Sequence, residues 1–285
     1  MNVDDKTYYI SLANTLFSIV TIALNGAVIM HMSCKQKGKR SRHMSMITIK
    51  IVFDVVFATS VVVHMLCVMG KIGGKNTSED WIFYSGNLEQ SLIASLGTLN
   101  IFIAMDRLFA MRAVINYSIH FAQKIETMAV VVVSSTFILY FTIYMLTRKN
   151  SPEHQFIHLV DNSVLVLIQG MTILALLVGL MITALFLIIL SHFTIEREVN
   201  VVTVFSTAVK KANKIVIYSM LLEFVFLVIP SGLGILLQYL SDSYVIDIMA
   251  PMTCFYTTLC AIVHYAILVR RKETSAVSSV QKTMS

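Results

Sequence analysis

Seven long apolar runs constrain this chain more than any other feature. They cover approximately residues 8–32, 44–69, 84–111, 125–147, 162–192, 214–240 and 244–269. Each reaches the ~20 residues that cross ~30 Å of hydrocarbon. Lipid offers no hydrogen-bond partner to a bare peptide group, so membrane segments are helices or strands of a closed barrel. A barrel strand alternates in polarity, whereas Ala129-Val130-Val131-Val132-Val133 is apolar at successive residues. The sequence therefore predicts an all-α fold, a seven-transmembrane helix bundle, as one domain over 1–285 with a polar tail at 270–285. The loops are short and no internal repeat is visible. Hydrophobic residues make up 56% of the chain and charged residues 13%. Globular domains carry about 25% charge, so a disordered chain is excluded and a soluble enzyme is disfavoured.

Charge placement sets the expected orientation. Of the 22 Lys and Arg, only Lys6, Lys71, Lys75, Arg148 and Lys149 fall in the segments on the N-terminal side of the membrane. The rest, including Lys50 at the start of the second run, fall on the other side. Basic loops stay in the cytosol, which predicts the N-terminus outside and the C-terminus inside. The net charge of +6 is thus read as membrane sidedness and not as a nucleic-acid surface. The opening Met1-Asn2-Val3-Asp4-Asp5-Lys6 is acidic and the run after it is long, unlike a secretory signal. The first run is expected to be a retained span. The sequon Asn76-Thr77-Ser78 falls in the first outer loop, an expected glycosylation site. Cys34, Cys67, Cys254 and Cys260 show neither metal spacing nor a disulfide framework, and no cofactor or metal is expected. His154 and His158 lie four apart in the second outer loop and are read as solvated.

Polar residues within the runs are expensive. A charge near the middle of the bilayer costs ~2.5–3.5 kcal/mol on insertion scales. Asp54 lies midway along the second run and Asn25 towards the inner half of the first, so the two are expected to form a shared interior cluster. Asp106-Arg107 closes the third run on its inner side. Pro230 interrupts the sixth, where a missing backbone N–H kinks a helix, and Glu223 lies two turns inward of it. Glu89, Gln90, His64 and Gln169 occupy outer halves of the third, second and fifth runs. They are the candidate polar points of an otherwise apolar small-molecule pocket.

The residues Asn25, Asp54, Met105-Asp106-Arg107-Leu108 and Pro230, in this order across seven spans, resemble rhodopsin-like G-protein-coupled receptors. The short N-terminus, short inner loops and Asp-Arg-Leu ending look most like the nematode serpentine chemoreceptors, class BC among them. The resemblance implies that Arg107 meets the G-protein tail, that Asp54 and Asn25 form a polar core, and that Phe224 belongs to a transmission cluster of aromatic side chains. It implies that Glu89 sits where cationic ligands are contacted in amine receptors. Several departures stand out. Ile82 replaces the cysteine at the top of the third helix, so the usual tether of the second outer loop is missing. Val228 stands at the aromatic toggle position, and Lys210 replaces the carboxylate that would lock Arg107. The seventh span keeps only Tyr265 of the Asn-Pro-x-x-Tyr motif.

Receptor, transporter and membrane enzyme are the function classes to weigh. A receptor of this kind has a small extracellular ligand, a heterotrimeric G protein and the lipid bilayer as partners, and no nucleic acid. Homo- or hetero-oligomers are compatible with it. Its place is the plasma membrane, in sensory cilia if the chemosensory resemblance holds. A transporter would show paired broken helices, but Pro230 and Pro251 both come late in the chain. An intramembrane metal-dependent hydrolase would need more histidines than His64 and His264 within its spans. An opsin would need a lysine in 244–269, and there is none.

Overall fold

The structure is a computed structural model that describes residues 3–35, 44–74, 78–112, 119–149, 156–197, 207–233 and 249–269. Seven helices in it are long and apolar enough to cross a membrane. They are α1 (Val3–Lys35), α2 (Ser45–Ile72), α3 (Glu79–Arg112), α4 (Ile119–Leu146), α5 (Asn162–Arg197), α6 (Thr207–Glu223) and α7 (Met249–Leu268). A π-helical turn, Phe224–Val228, continues α6 towards Pro230. Among the described residues there is no named strand, only an isolated bridge between Arg148 and Val160. The all-α, seven-span expectation holds.

α3 is the central post. It packs against α2, α4 and α5, while α1 packs on α2 and α7, and α6 on α7. In the apolar core of each span, 67% of α3 is buried against 17% of α4. Composition follows this placement. α3 carries Ser85, Asn87, Ser91, Ser95 and Asn100, all buried, because neighbouring helices supply partners that lipid would not. Asn87 Nδ2 donates to the Phe141 carbonyl of α4 at 3.1 Å, and Ser91 Oγ donates to Asn87 Oδ1 at 3.0 Å. α4 instead turns Val130, Val131, Ile138 and Leu139 outward, the composition of a lipid-facing surface.

The amphipathic stripe of α2 runs through Ile47, Ile51, Asp54, Ala58, Val61, Met65 and Val68, the spacing of one helical face. The helix stops at Gly73 and Gly74. Gly74 has φ of 74°, a left-handed conformation that glycine adopts without a Cβ penalty. Elsewhere the helices overrun the apolar runs. α3 begins at Glu79 and not near 84, because Glu79 and Asp80 in its first turn complement the positive end of the helix dipole. α1 starts by Val3, ahead of the run at 8. The far ends of the sixth and seventh runs, the tail 270–285 and Asn76 lie outside the described residues.

Candidate functional site

At one end of the bundle, α3 buries the pair Asp106 and Arg107. Arg107 is 1% exposed and donates from both Nε and Nη2 to Asp106 Oδ2, the Nε bond at 2.9 Å. Its Nη1 has no hydrogen-bond partner among the described residues. A carboxylate on the preceding residue thus supplies the arginine's counter-charge inside its own helix. The side chain of Lys210 lies outside the described residues.

One turn deeper, Asn25 and Asp54 are both fully buried, but no hydrogen bond joins them. Asp54 is instead held by Lys50, whose Nζ lies 2.5 Å from Oδ1. The lysine is 3% exposed, so its expected place among the cytosolic loop cations is corrected. Both charges ride on one helix at i and i+4, the spacing that brings side chains onto the same face, and burial of each is offset by the other. The Lys50 ammonium also sits over the Tyr256 ring of α7, 5.3 Å from its centroid. Asn100 Nδ2 reaches Tyr256 Oη at 3.5 Å. Lys50, Asn100, Glu223 and His264 line a cavity of about 20 Å³, room for about one water molecule. This cluster joins α2, α3, α6 and α7. In the sequence Asp54, Glu223 and His264 stand out as polar residues within apolar runs, but nothing there joins them to Lys50 or Asn100.

Towards the Asp80 end, α2 and α3 bring His64 and Glu89 together, with Nε2 and Oε2 4.0 Å apart. Both are buried. Ser85 Oγ donates to the Trp81 carbonyl at 2.6 Å, and it lies 3.0 Å from His64 Nδ1. His64 Nδ1 and Ser85 Oγ share a hydrogen bond whose direction follows the imidazole tautomer. The His64 Nε2 is directed towards the Glu89 carboxylate. Gln90 and Gln169 are half-buried.

The described ends of the second loop are tied together without a disulfide. Ile82 is fully buried at the place of the absent cysteine. Lys149 N donates to the Leu159 carbonyl at 2.8 Å, and Asp161 N to Thr147 O at 3.3 Å. Arg148 pairs with Asp80 at 2.5 Å and lies 4.7 Å from the Phe83 ring centroid. Lys149 lies 3.1 Å from Asp161. The hydrogen bonds from Lys149 and the Ser163 amide hold the exposed Asp161 carboxyl below the usual carboxylate range. A 3-10 turn, Phe156–Leu159, drops Phe156 between Phe83 and Tyr144, with ring centroids at 5.7 and 5.4 Å. This works because Gly86 leaves room: a Cβ there would stand 2.7 Å from Phe156. Gly86→Val is therefore expected to unseat Phe156 at a cost of about 1–3 kcal/mol, the range for an overpacked core. A matching loss in thermal stability of the purified protein, relieved by Phe156→Ala in the same chain, checks it. His154, and the side chain of His158, lie outside the described residues.

The sixth helix differs from a simple proline kink. The Ile229 N–H bonds to Phe224 O, a five-residue step that inserts a π turn ahead of Pro230. Such a turn shifts the phase of the helix face. Phe224 is consequently 46% exposed and faces away from the packed interior, which corrects its expected place in an aromatic cluster. Phe226 turns inward in its stead, its ring 5.1 Å from that of Phe255. Tyr265 packs among Val28, Ile47, Ile51 and Ile215, where α1, α2, α6 and α7 meet. Among the described residues no group of three or more His, Cys, Asp and Glu could hold a metal.

A seven-span bundle around a polar third helix that ends in a buried Asp-Arg pair has the build of a serpentine membrane receptor. The family model for serpentine type 7TM GPCR chemoreceptors of the Srbc group matches residues 4–150. The chain belongs to that family. It is a family of receptors and not of enzymes, and a multi-pass membrane protein is what its seven apolar helices describe. Among curated proteins none matches this chain.

Proposed function

We propose that this chemoreceptor detects a small extracellular molecule bearing a hydrogen-bond donor or a cationic nitrogen, and signals through a heterotrimeric G protein. The observation that carries the ligand chemistry is the His64–Glu89 approach at 4.0 Å, a buried imidazole and a buried carboxylate on the same half of the bundle as Phe156. Gln90 and Gln169 are further polar points on the same half of the bundle. The N-terminus and the Asp80 end face outward, and the C-terminus and the Arg107 end face the cytosol. This orientation rests on the cation count, which survives the removal of buried Lys50 from it. The receptor resides in the plasma membrane, in sensory cilia where the animal has them, and Asn76 carries a glycan on the outer side.

Signalling in this reading is a population shift. The ligand binds one bundle conformation better than the other. The inner part of α6 swings outward below Pro230 and the π turn, and Arg107 turns from Asp106 to the G protein. Asn25, Asp54 and Tyr265 lie in the interior across which the movement passes. The test is ligand-dependent G-protein activation in heterologous cells over a panel of small amines and alcohols. Hydrogen bonds to charged groups contribute about 1.5–3 kcal/mol, so Glu89→Gln is expected to raise the half-maximal agonist concentration about tenfold or more. An unchanged value at equal surface expression sinks the assignment of Glu89.

A further inference from the structure

The cavity between α2, α3, α6 and α7 holds an arrangement that the ligand site and the Asp106–Arg107 pair do not use. Lys50 carries an ammonium with three protons, and Asp54 Oδ1 accepts one of them at 2.5 Å. The same Nζ group borders a water-sized space whose other walls include Glu223 and His264. Glu223 is 0% exposed; the Asn100 side chain of α3 approaches its carboxylate, but neither carboxylate oxygen, nor Nδ1 of His264, makes a hydrogen bond of ordinary geometry among the described residues. Buried polar groups without partners cost about 1–3 kcal/mol each. The space admits about one water, and among mostly apolar walls Lys50, Asn100, Glu223 and His264 are polar partners for it. Glu223 is also the last residue of α6 before the π turn, so its side chain rides on the segment below that turn and Pro230.

We propose that Lys50 and Glu223, joined across this cavity by hydrogen bonding through one bound water, latch the sixth helix in its closed position. The inference rests on the proposed receptor reading, in which α6 moves outward on activation. Lys50 is held by Asp54 on its own helix, and Glu223 is the acidic group of α6 that lines the same cavity. Swinging α6 outward removes Glu223 from the ammonium and from the bridging water together. The latch therefore contributes stability to the closed bundle alone. Lys50 is a positioning residue here, acting on the coupling face through α6.

The test measures helix position and signalling separately. The full-length protein in lipid nanodiscs carries spin labels at Gln123→Cys on α4 and Lys214→Cys on α6, both exposed, in a Cys34→Ser, Cys67→Ser background. Glu223→Leu removes the acceptor and keeps the volume, and is expected to lengthen the ligand-free distance by about 2 Å or more, the scale of a helix shift. Glu223→Gln keeps an acceptor and is expected to hold the unmutated distance. Lys50→Met combined with Asp54→Leu removes the donor with its counter-ion, and is expected to lengthen the distance as Glu223→Leu does. This second variant decides the matter if Glu223→Leu does not fold. Ligand-independent nucleotide exchange on a panel of G-protein α subunits is expected to rise about fivefold or more in the opened variants. Unchanged distances in the Leu and Met/Leu variants overturn the latch, and so does a Gln variant that opens as far as Leu. If the helix opens and no α subunit responds to any form of the receptor, the latch stands and the G-protein reading fails. If exchange rises while the distance stays fixed, the reading stands and the latch fails.

Discussion

Receptors carrying Arg107→Ala are expected to lose ligand-driven G-protein activation about tenfold or more, while Asp106→Asn is expected to raise ligand-independent activation. The opposite signs follow from one pair. Arg107 is buried and bonded to Asp106 by Nε and Nη2, so the guanidinium is neutralised within α3, an arrangement the proposed mechanism assigns to the closed bundle. Neutralising the carboxylate leaves a buried arginine without its counter-charge. Removing one partner of a buried pair costs about 3–5 kcal/mol, and that cost falls on the closed state, where the pair is made. Opening relieves it, and activity without ligand rises. Removing the arginine takes away the group proposed to meet the G protein, and a coupling of this size corresponds to the usual allosteric range of about 5–150-fold. Damage to folding would lower both variants together. The measurement is nucleotide exchange at matched surface expression. Wild-type exchange from Arg107→Ala ends the assignment of Arg107.

Thermal unfolding of the purified receptor is expected to show the second large effect. Asp54→Ala strands the Lys50 ammonium in the bundle interior, 3% exposed and without its 2.5 Å partner. The expected loss is about 3–5 kcal/mol. Replacing both members, Lys50→Met with Asp54→Leu, exchanges a buried ion pair for apolar side chains of similar volume. Such replacements are about neutral or stabilising, so the double variant is expected to recover most of the loss. That recovery separates an electrostatic cost from a packing one. If Asp54→Ala melts with the wild type, the ion pair is not a buried one.

These two effects depend on features that were unequally visible in the chain itself. Asp106-Arg107, Asp54 and Asn25 stand out because each is a polar residue in an apolar run, and the cost of placing it there is a local property. Their partners are another matter. Lys50 lies near the start of its run and reads as a loop cation by position. Only the packing of α2 against α7, with Tyr256 beneath the ammonium, shows it to be interior. Phe224 has the sequence interval of an inward aromatic, yet the π turn rotates it outward. No pattern of residue types announced that turn, since it follows from how the chain accommodates Pro230 within a packed helix.

The candidate ligand site divides in the same way. His64, Glu89, Gln90 and Gln169 were recognisable as polar residues on one half of the spans. The structure brings the first two within 4.0 Å and leaves the glutamines half-buried. The loop above them shows the reverse case. A missing cysteine foretold a missing tether, but Gly86, Phe156 and Arg148 supply another one, from contacts between residues far apart in the chain.

What the chain determined alone is the number of spans, their helical nature and the positions where polarity enters them. Those follow from transfer free energies that add residue by residue along each helix, and from a solvent that forbids unpaired backbone. What the tertiary structure decided is which polar groups face one another: lysine with aspartate, imidazole with carboxylate, phenylalanine with a glycine-sized gap. Such pairings depend on the rotation and depth of each helix relative to its neighbours. Those are set by close packing over a whole interface, and no short stretch of sequence contains them.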